Sequence, residues 1–177
     1  MLRALLAVLL LALAGCQSST SAGAAAEAMP ADLFPLDPSS AQFDAGRGRR
    51  LTIRVEGLGD GRARMTLGDP SGAAVDVVRT DTGLVFRNGP DEGAELVRFG
   101  AVPGDEWQIS GGKARFAGWE RIQVAAGTYD AARVQANYGA DGLDRVDTWW
   151  FARGVGLIRL KSDWGELFSE ELVRVSP

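Results

Sequence analysis

The sequence predicts an all-β domain, a single antiparallel sandwich or partly open barrel of about nine to eleven short strands. Three observations carry this. From about Asp32 onward, apolar and polar residues alternate in short runs, the period-2 mark of half-buried strands. Clusters of Gly, Asp, Asn, Pro and Ser separate the runs, and these residues turn a chain. No stretch of the domain sustains the 3.6-residue period of an amphipathic helix.

The elements follow in order. Leu51, Ile53 and Val55 face one way and Thr52, Arg54 and Glu56 the other. Residues 57–61, containing Asp60-Gly61, form a hairpin turn. Ala63, Met65 and Leu67 alternate with Arg62, Arg64 and Thr66, and Asp69-Pro70-Ser71-Gly72 turns the chain again. Val75 and Val77 make the next strand, then Leu84 and Phe86 follow Asp81-Thr82-Gly83. Asn88-Gly89-Pro90 breaks the chain before a strand at residues 96–99. Trp107 and Ile109 precede a Ser110-Gly111-Gly112 turn. The run 114–124 is long for one strand and holds Gly118, which predicts a bulge. A turn begins at Gly127-Thr128; Ala132, Val134, Ala136 and Tyr138 then share a face. Asp141-Gly142 leads into residues 145–151, Gly154 and Gly156 flank Val155, and residues 157–160 and 166–175 complete the set.

Ahead of the domain, Met1-Leu2-Arg3 is a short basic start and residues 4–14 are wholly apolar. A secretory signal peptide has this order: positive end, apolar stretch, small residues at the cut. A spanning helix needs roughly 20 apolar residues, and this run ends sooner in polar Gln17-Ser18-Ser19-Thr20. Leu13-Ala14-Gly15-Cys16 resembles the lipobox of bacterial lipoproteins, and Cys16 is the single cysteine. That resemblance implies diacylglycerol on the Cys16 sulfur, cleavage between Gly15 and Cys16, and acylation of the new amino terminus. Two or three buried acyl chains, at about 0.8 kcal/mol per CH₂, make a stable anchor. Gln17 stands where Asp favours inner-membrane retention, so the pattern points to the outer membrane, periplasmic face. Residues 1–15 are thus read as signal peptide, 16–31 as lipidated flexible tether and 32–177 as the β domain. The tether is Ser, Ala, Thr and Gly, with one short helical turn conceivable at residues 24–28. About 14 such residues reach about 20 Å.

Composition excludes several functions. Arg3 leaves with the signal peptide, so 18 basic residues face 23 acidic ones, a net charge of −5. An acidic chain with no basic run is a poor partner for nucleic acid or for anionic lipid heads. Only two of the basic residues, Lys113 and Lys161, are lysines. Histidine is absent, which removes the commonest general base and zinc ligand. With Cys16 acylated no thiol remains for disulfides or catalysis.

Three segments resemble a set that recurs in secreted bacterial β-rich proteins. Leu33-Phe34-Pro35-Leu36 opens the domain ahead of its first strand. Residues 124–134 (VAAGTYDAARV) match V-x-A-G-T-[FY]-x-A-x-x-V, a strand–turn–strand. Residues 148–158 (TWWFARGVGLI) match a T-x-W-[YF]-A-P-G-V-G-L-[VI] hairpin, with Arg153 in place of Pro. Gln42-Phe43 stands where the opening more often has Gly-x-x-Trp. The resemblance implies a β-rich fold common on exported proteins and lipoproteins; it supplies no activity, so no catalytic residue follows from it.

Candidate chemistry is sparse. Ser110-Gly111-Gly112-Lys113 fits Ser-x-x-Lys, but two glycines between strands make a hairpin, not the helix start that this pairing needs. Gly68-Asp69-Pro70-Ser71-Gly72 is not a nucleophile elbow. Asp141-Gly142-Leu143-Asp144 lacks calcium-loop spacing. Asp91-Glu92 and Asp105-Glu106 are acidic pairs in loops, and a glycosidase would need two carboxylates facing each other. No metal site and no cofactor are expected.

Five tryptophans stand out: Trp107, Trp119, Trp149, Trp150 and Trp164. Trp149 and Phe151 share one parity and Trp150 the other, so one face would line any cavity. The ligand-binding candidates are Trp149, Trp150, Phe151, Trp107 and Trp119; the expected lipidation site is Cys16. Two readings follow. The first is a non-enzymatic interaction or envelope-assembly module, with a filled core, an exposed apolar patch and an envelope protein as partner. The alternative is a carrier of a lipid or other hydrophobic ligand, with a hollow, aromatic-lined interior. A carboxylate hydrolase would need two inward carboxylates in a cleft.

Overall fold

A computed structural model describes residues 27–68, 73–87, 93–139, 145–164 and 169–176. Cys16, Gln17, the turns at 69–72 and 88–90, the pair Asp91-Glu92 and the polar turn 141–144 lie outside the described residues. Among the described residues no helix is long and apolar enough to cross a membrane.

Among the described residues twelve strands form one sheet. They are β1 (Ser39–Asp44), β2 (Arg50–Gly59), β3 (Arg62–Leu67), β4 (Ala74–Arg79), β5 (Gly83–Arg87) and β6 (Ala94–Arg98), then β7 (Glu106–Ile109), β8 (Gly112–Val124), β9 (Gly127–Tyr138), β10 (Arg145–Ala152), β11 (Gly156–Asp163) and β12 (Ser169–Arg174). The order is β6-β5-β4-β3-β2-β1-β12-β11-β10-β9-β8-β7, with every neighbouring pair antiparallel. It is an up-and-down meander closed through β1 and β12 and interrupted between β6 and β7. The expected all-β architecture is present, as a nearly closed barrel.

The strand count exceeds the expected nine to eleven by β1. Its sequence, Ser-Ser-Ala-Gln-Phe-Asp, turns only Ala41 and Phe43 inward. Two inward residues among small polar ones make a weak alternation. The pairing Ala41↔Ile53 and Phe43↔Leu51 supplies what the segment alone lacks.

Local chemistry sets the turns. Asp60 and Gly61 both have positive φ, 50° and 69°, which fits the type I′ hairpin turn that favours Asp-Gly. The register shifts between Phe116 and Gly118, so the bulge expected at Gly118 is there. The turn expected at Gly127-Thr128 falls two residues earlier, at Ala125-Ala126, and Gly127 opens β9 with φ 140°.

The seam between β6 and β7 is closed by side chains. Trp107 Nε1 donates to the Glu95 carbonyl at 2.5 Å. The Arg98 guanidinium lies 5.2 Å from the Trp107 ring centre. An exposed strand edge invites pairing with another chain, and these contacts cover part of it.

One end of the barrel is plugged by the chain that precedes β1. Met29 and Leu33 are 1 % and 0 % exposed. Met29 N donates to the Ala101 carbonyl at 2.8 Å, and Gly100 N to the Met29 carbonyl at 2.9 Å. Residues 27–31, read from sequence as the last part of the tether, are therefore docked on the barrel. A single Met among Ala, Pro and Glu gave no periodic signal, although it has a pocket to fill. At the rim, Trp119 Nε1 donates to the Glu27 carbonyl at 2.9 Å, and Arg153 pairs with the Glu27 carboxylate. Phe34 meets Phe86 and Phe151 edge-on, at 5.7 and 6.4 Å between ring centres.

Gly83 begins β5 where only hydrogen fits. A Cβ there would lie 2.0 Å from the Val97 carbonyl oxygen and 2.7 Å from Glu95 Oε1. Gly83→Ala is expected to cost about 1–3 kcal/mol, the usual range for forced overpacking. Urea denaturation measures it, and an unchanged midpoint would show that the β5–β6 pair relaxes freely.

Candidate functional site

The unplugged end holds a cavity of about 390 Å³. Its walls come from both halves of the meander: Met65, Phe86 and Leu96 on one side, Trp149, Leu160 and Leu172 on the other. These positions are inward by strand alternation. Trp149 is the direct partner of Leu160 across β10 and β11, and of Val134 across β10 and β9. Below the cavity, Phe86, Trp149 and Phe151 form an aromatic floor. Trp149 and Phe151 stack at 6.0 Å with 4° between planes, and Phe86 lies 6.0 and 6.1 Å from them. Phe34 of the plug supports this floor from beneath.

Polar groups gather at the mouth. Ser110, Tyr138, Arg145 and Asp147 line it. Arg145 and Asp147 are two apart on β10, so both point inward, and Tyr138 is the cross-strand partner of Arg145. The Asp147 side chain is 1 % exposed. It accepts two bonds from one guanidinium, Arg145 Nε at 2.8 Å and Nη2 at 2.5 Å. That guanidinium lies 5.2 Å from the Tyr138 ring centre and 4.7 Å from that of Trp164. The Asp147 carboxylate also raises the Arg145 pKa.

The Tyr138 phenol is pushed up to about 12, chiefly by burial and further by the Asp147 charge, with Arg145 opposing. A raised folded-state pKa stabilises the fold fully below the ordinary phenol value and loses that contribution as pH rises through the folded value. The window here runs from about pH 10 to about pH 12. Of the two tyrosines, one is then expected to form phenolate only at the top of that range. Absorbance at the phenolate band, with Tyr138→Phe as reference, checks it; an unchanged late phase in the variant would refute the assignment.

The structure separates the five candidate aromatic residues. Trp149 lines the cavity, and Phe151 is buried directly beneath it. Trp150 faces the other way. It belongs to a small outer-face cluster with Ile122, Ala131, Ala152 and Ile158, where its Nε1 donates to Glu120 at 3.1 Å and Arg159 covers its ring at 4.9 Å. Trp107 seals the seam, and Trp119 holds Glu27 at the plugged rim. Sequence reasoning passed over the Arg145–Asp147 pair. Its one signal was two opposite charges on the parity of Trp149 and Phe151.

The remaining motifs that fall on described residues lie at turns. Ser110-Gly111 is the β7–β8 turn, and Lys113 points to solvent. Asp105 Oδ2 accepts from Val102 N at 2.9 Å and shapes the β6–β7 connection. Among the described residues no three His, Cys, Asp or Glu side chains lie close enough to hold a metal ion. Segments 33–36, 124–134 and 148–158 converge on the plugged end. Gly154 N donates to the Asp32 carbonyl at 2.9 Å, and Ala131 pairs with Ala152. A Cβ on Gly156 would sit 3.1 Å from Pro35 and 3.4 Å from Phe34. These three segments thus meet at the plugged end.

No family model and no curated protein matches the chain. A solved structure does: a protein of Bacteroides fragilis, described as exported and as having a YmcC-like fold. It aligns with a TM-score of 0.51 at 13 % identity, over 82 % of this chain and 98 % of that one. The barrel is similar to the YmcC-like fold. A protein of Parabacteroides distasonis described as a lipoprotein aligns with a TM-score of 0.48 at 15 % identity, over 83 % and 98 %. At such identities the YmcC-like likeness extends to the fold alone.

Proposed function

We propose that this chain is a lipoprotein of the bacterial envelope, held through Cys16 at the periplasmic face of the outer membrane, whose barrel binds a hydrophobic ligand. The observation that carries the reading is the apolar cavity with its polar mouth. Its volume, about 390 Å³, lies in the lower part of the range for small-molecule sites. An interaction module was expected to show a filled interior and an exposed apolar patch. The described residues expose two large apolar side chains, Leu58 at 42 % and Val102 at 38 %, which is little for a docking surface. A binding role also suits the lining. Among the described residues its single carboxylate, Asp147, is committed to Arg145, whereas carboxylate hydrolysis uses two across a cleft. The exported character given to the Bacteroides neighbour agrees with the signal read in residues 1–16.

Native mass spectrometry of the envelope-extracted protein tests the reading. A co-purified hydrophobic mass is expected, on a chain that begins at an acylated Cys16. Cys16→Ser is expected to abolish fatty-acid labelling and membrane fractionation. A chain that starts upstream of position 16, or one with no ligand mass and no uptake of any hydrophobic probe, overturns it.

A further inference from the structure

The ion pair at the mouth narrows the class of ligand. Arg145 and Asp147 are the only ionised groups among the described residues that line the cavity, and they neutralise each other. Neither presents a ligand with an uncompensated charge. The guanidinium gives two donors to Asp147 and has the Tyr138 and Trp164 rings against it. Both Asp147 oxygens already accept from Arg145, and the side chain is almost wholly buried. Among the described residues an anionic head would meet no uncompensated cation here, and a cationic head no uncompensated carboxylate. Charge removed from water without a partner is costly.

The lining does carry hydrogen-bond donors. Among the described residues the Trp149 ring in the wall has a buried Nε1–H with no acceptor, and the Tyr138 hydroxyl lines the same cavity. Ser110 adds a hydroxyl at the mouth. A buried donor without an acceptor is unfavourable, so an acceptor oxygen on the ligand would relieve the site, while the rest of the wall takes an apolar body.

We propose that the cavity selects an uncharged, oxygen-bearing hydrophobic molecule, of the acylglycerol, long-chain ester or alcohol class, over the fatty-acid anion of the same chain length. This rests on the reading of the cavity as a ligand site, and the test separates the two. The full acylated chain is titrated in detergent with decanoylglycerol, decanoate and decyltrimethylammonium at about pH 8, where the carboxylate is ionised, and tryptophan fluorescence is followed. Decanoylglycerol is expected to bind at least about tenfold more tightly than either charged probe. Tyr138→Phe is expected to weaken the neutral probe by about 2–10-fold, one hydrogen bond's worth, and to leave decanoate unchanged. Asp147→Asn frees the Arg145 guanidinium and is expected to strengthen decanoate. Should that variant fail to fold, the Tyr138→Phe contrast decides alone. Decanoate bound as tightly as decanoylglycerol by the unaltered chain would overturn this selectivity and leave the cavity standing as a site. Binding of none of the three would overturn both.

Discussion

Phe151→Ala is expected to cost about 3–5 kcal/mol of stability, the range for removing a buried aromatic ring. Phe151 is 0 % exposed and touches three other rings: Trp149 above it, Phe86 beside it and Phe34 of the plug below. Its loss does more than leave a hole. It removes the support that joins the cavity floor to the N-terminal plug, so β10, β5 and the segment before β1 loosen together. A domain of this size has only about 5–15 kcal/mol in total, and the variant approaches the limit of folding. Urea denaturation measures the change. Phe151→Leu, which keeps most of the volume, is expected to lose far less. A loss below about 1 kcal/mol for the alanine variant would mean that the floor repacks and that plug and barrel are energetically separate.

Leu160→Trp is expected to abolish ligand binding while the fold persists. Leu160 lines the cavity beside Trp149, its partner on the neighbouring strand. An indole there projects into existing space instead of displacing packed atoms, and filling a void commonly adds about 0.5–2 kcal/mol. Binding is expected to fall beyond detection and the melting temperature to stay or rise. Leu58→Trp, on the exposed end of β2, serves as the control and is expected to bind normally. Undiminished uptake by Leu160→Trp would place the ligand elsewhere.

Much of the barrel is legible in the sequence because one side of the sheet is dry. Ala132, Val134 and Ala136 read as one face and are all 0 % exposed. Ala63 and Met65 do the same on β3. Such alternation fixes parity. It does not say which parity faces in, and β10 shows why: Phe151 is inward and Trp150 outward, yet both are buried. Trp150 escapes water because Arg159 and Glu120 cover it. The site was harder to see. Tyr138, Arg145 and Trp164 meet only through the β9–β10 register and a later connection, and register lies in the pairing of strands. Met29 and β1 were missed for a related reason: each gains its place from partners far along the chain.

The clasp of Arg153 and Trp119 on Glu27 has a directional outcome. Glu27 departs beside the β10–β11 turn, whereas the mouth residues Arg145 and Tyr138 stand at the opposite ends of β10 and β9. The described chain thus enters the cup at its base, and the opening lies at the far end of the barrel.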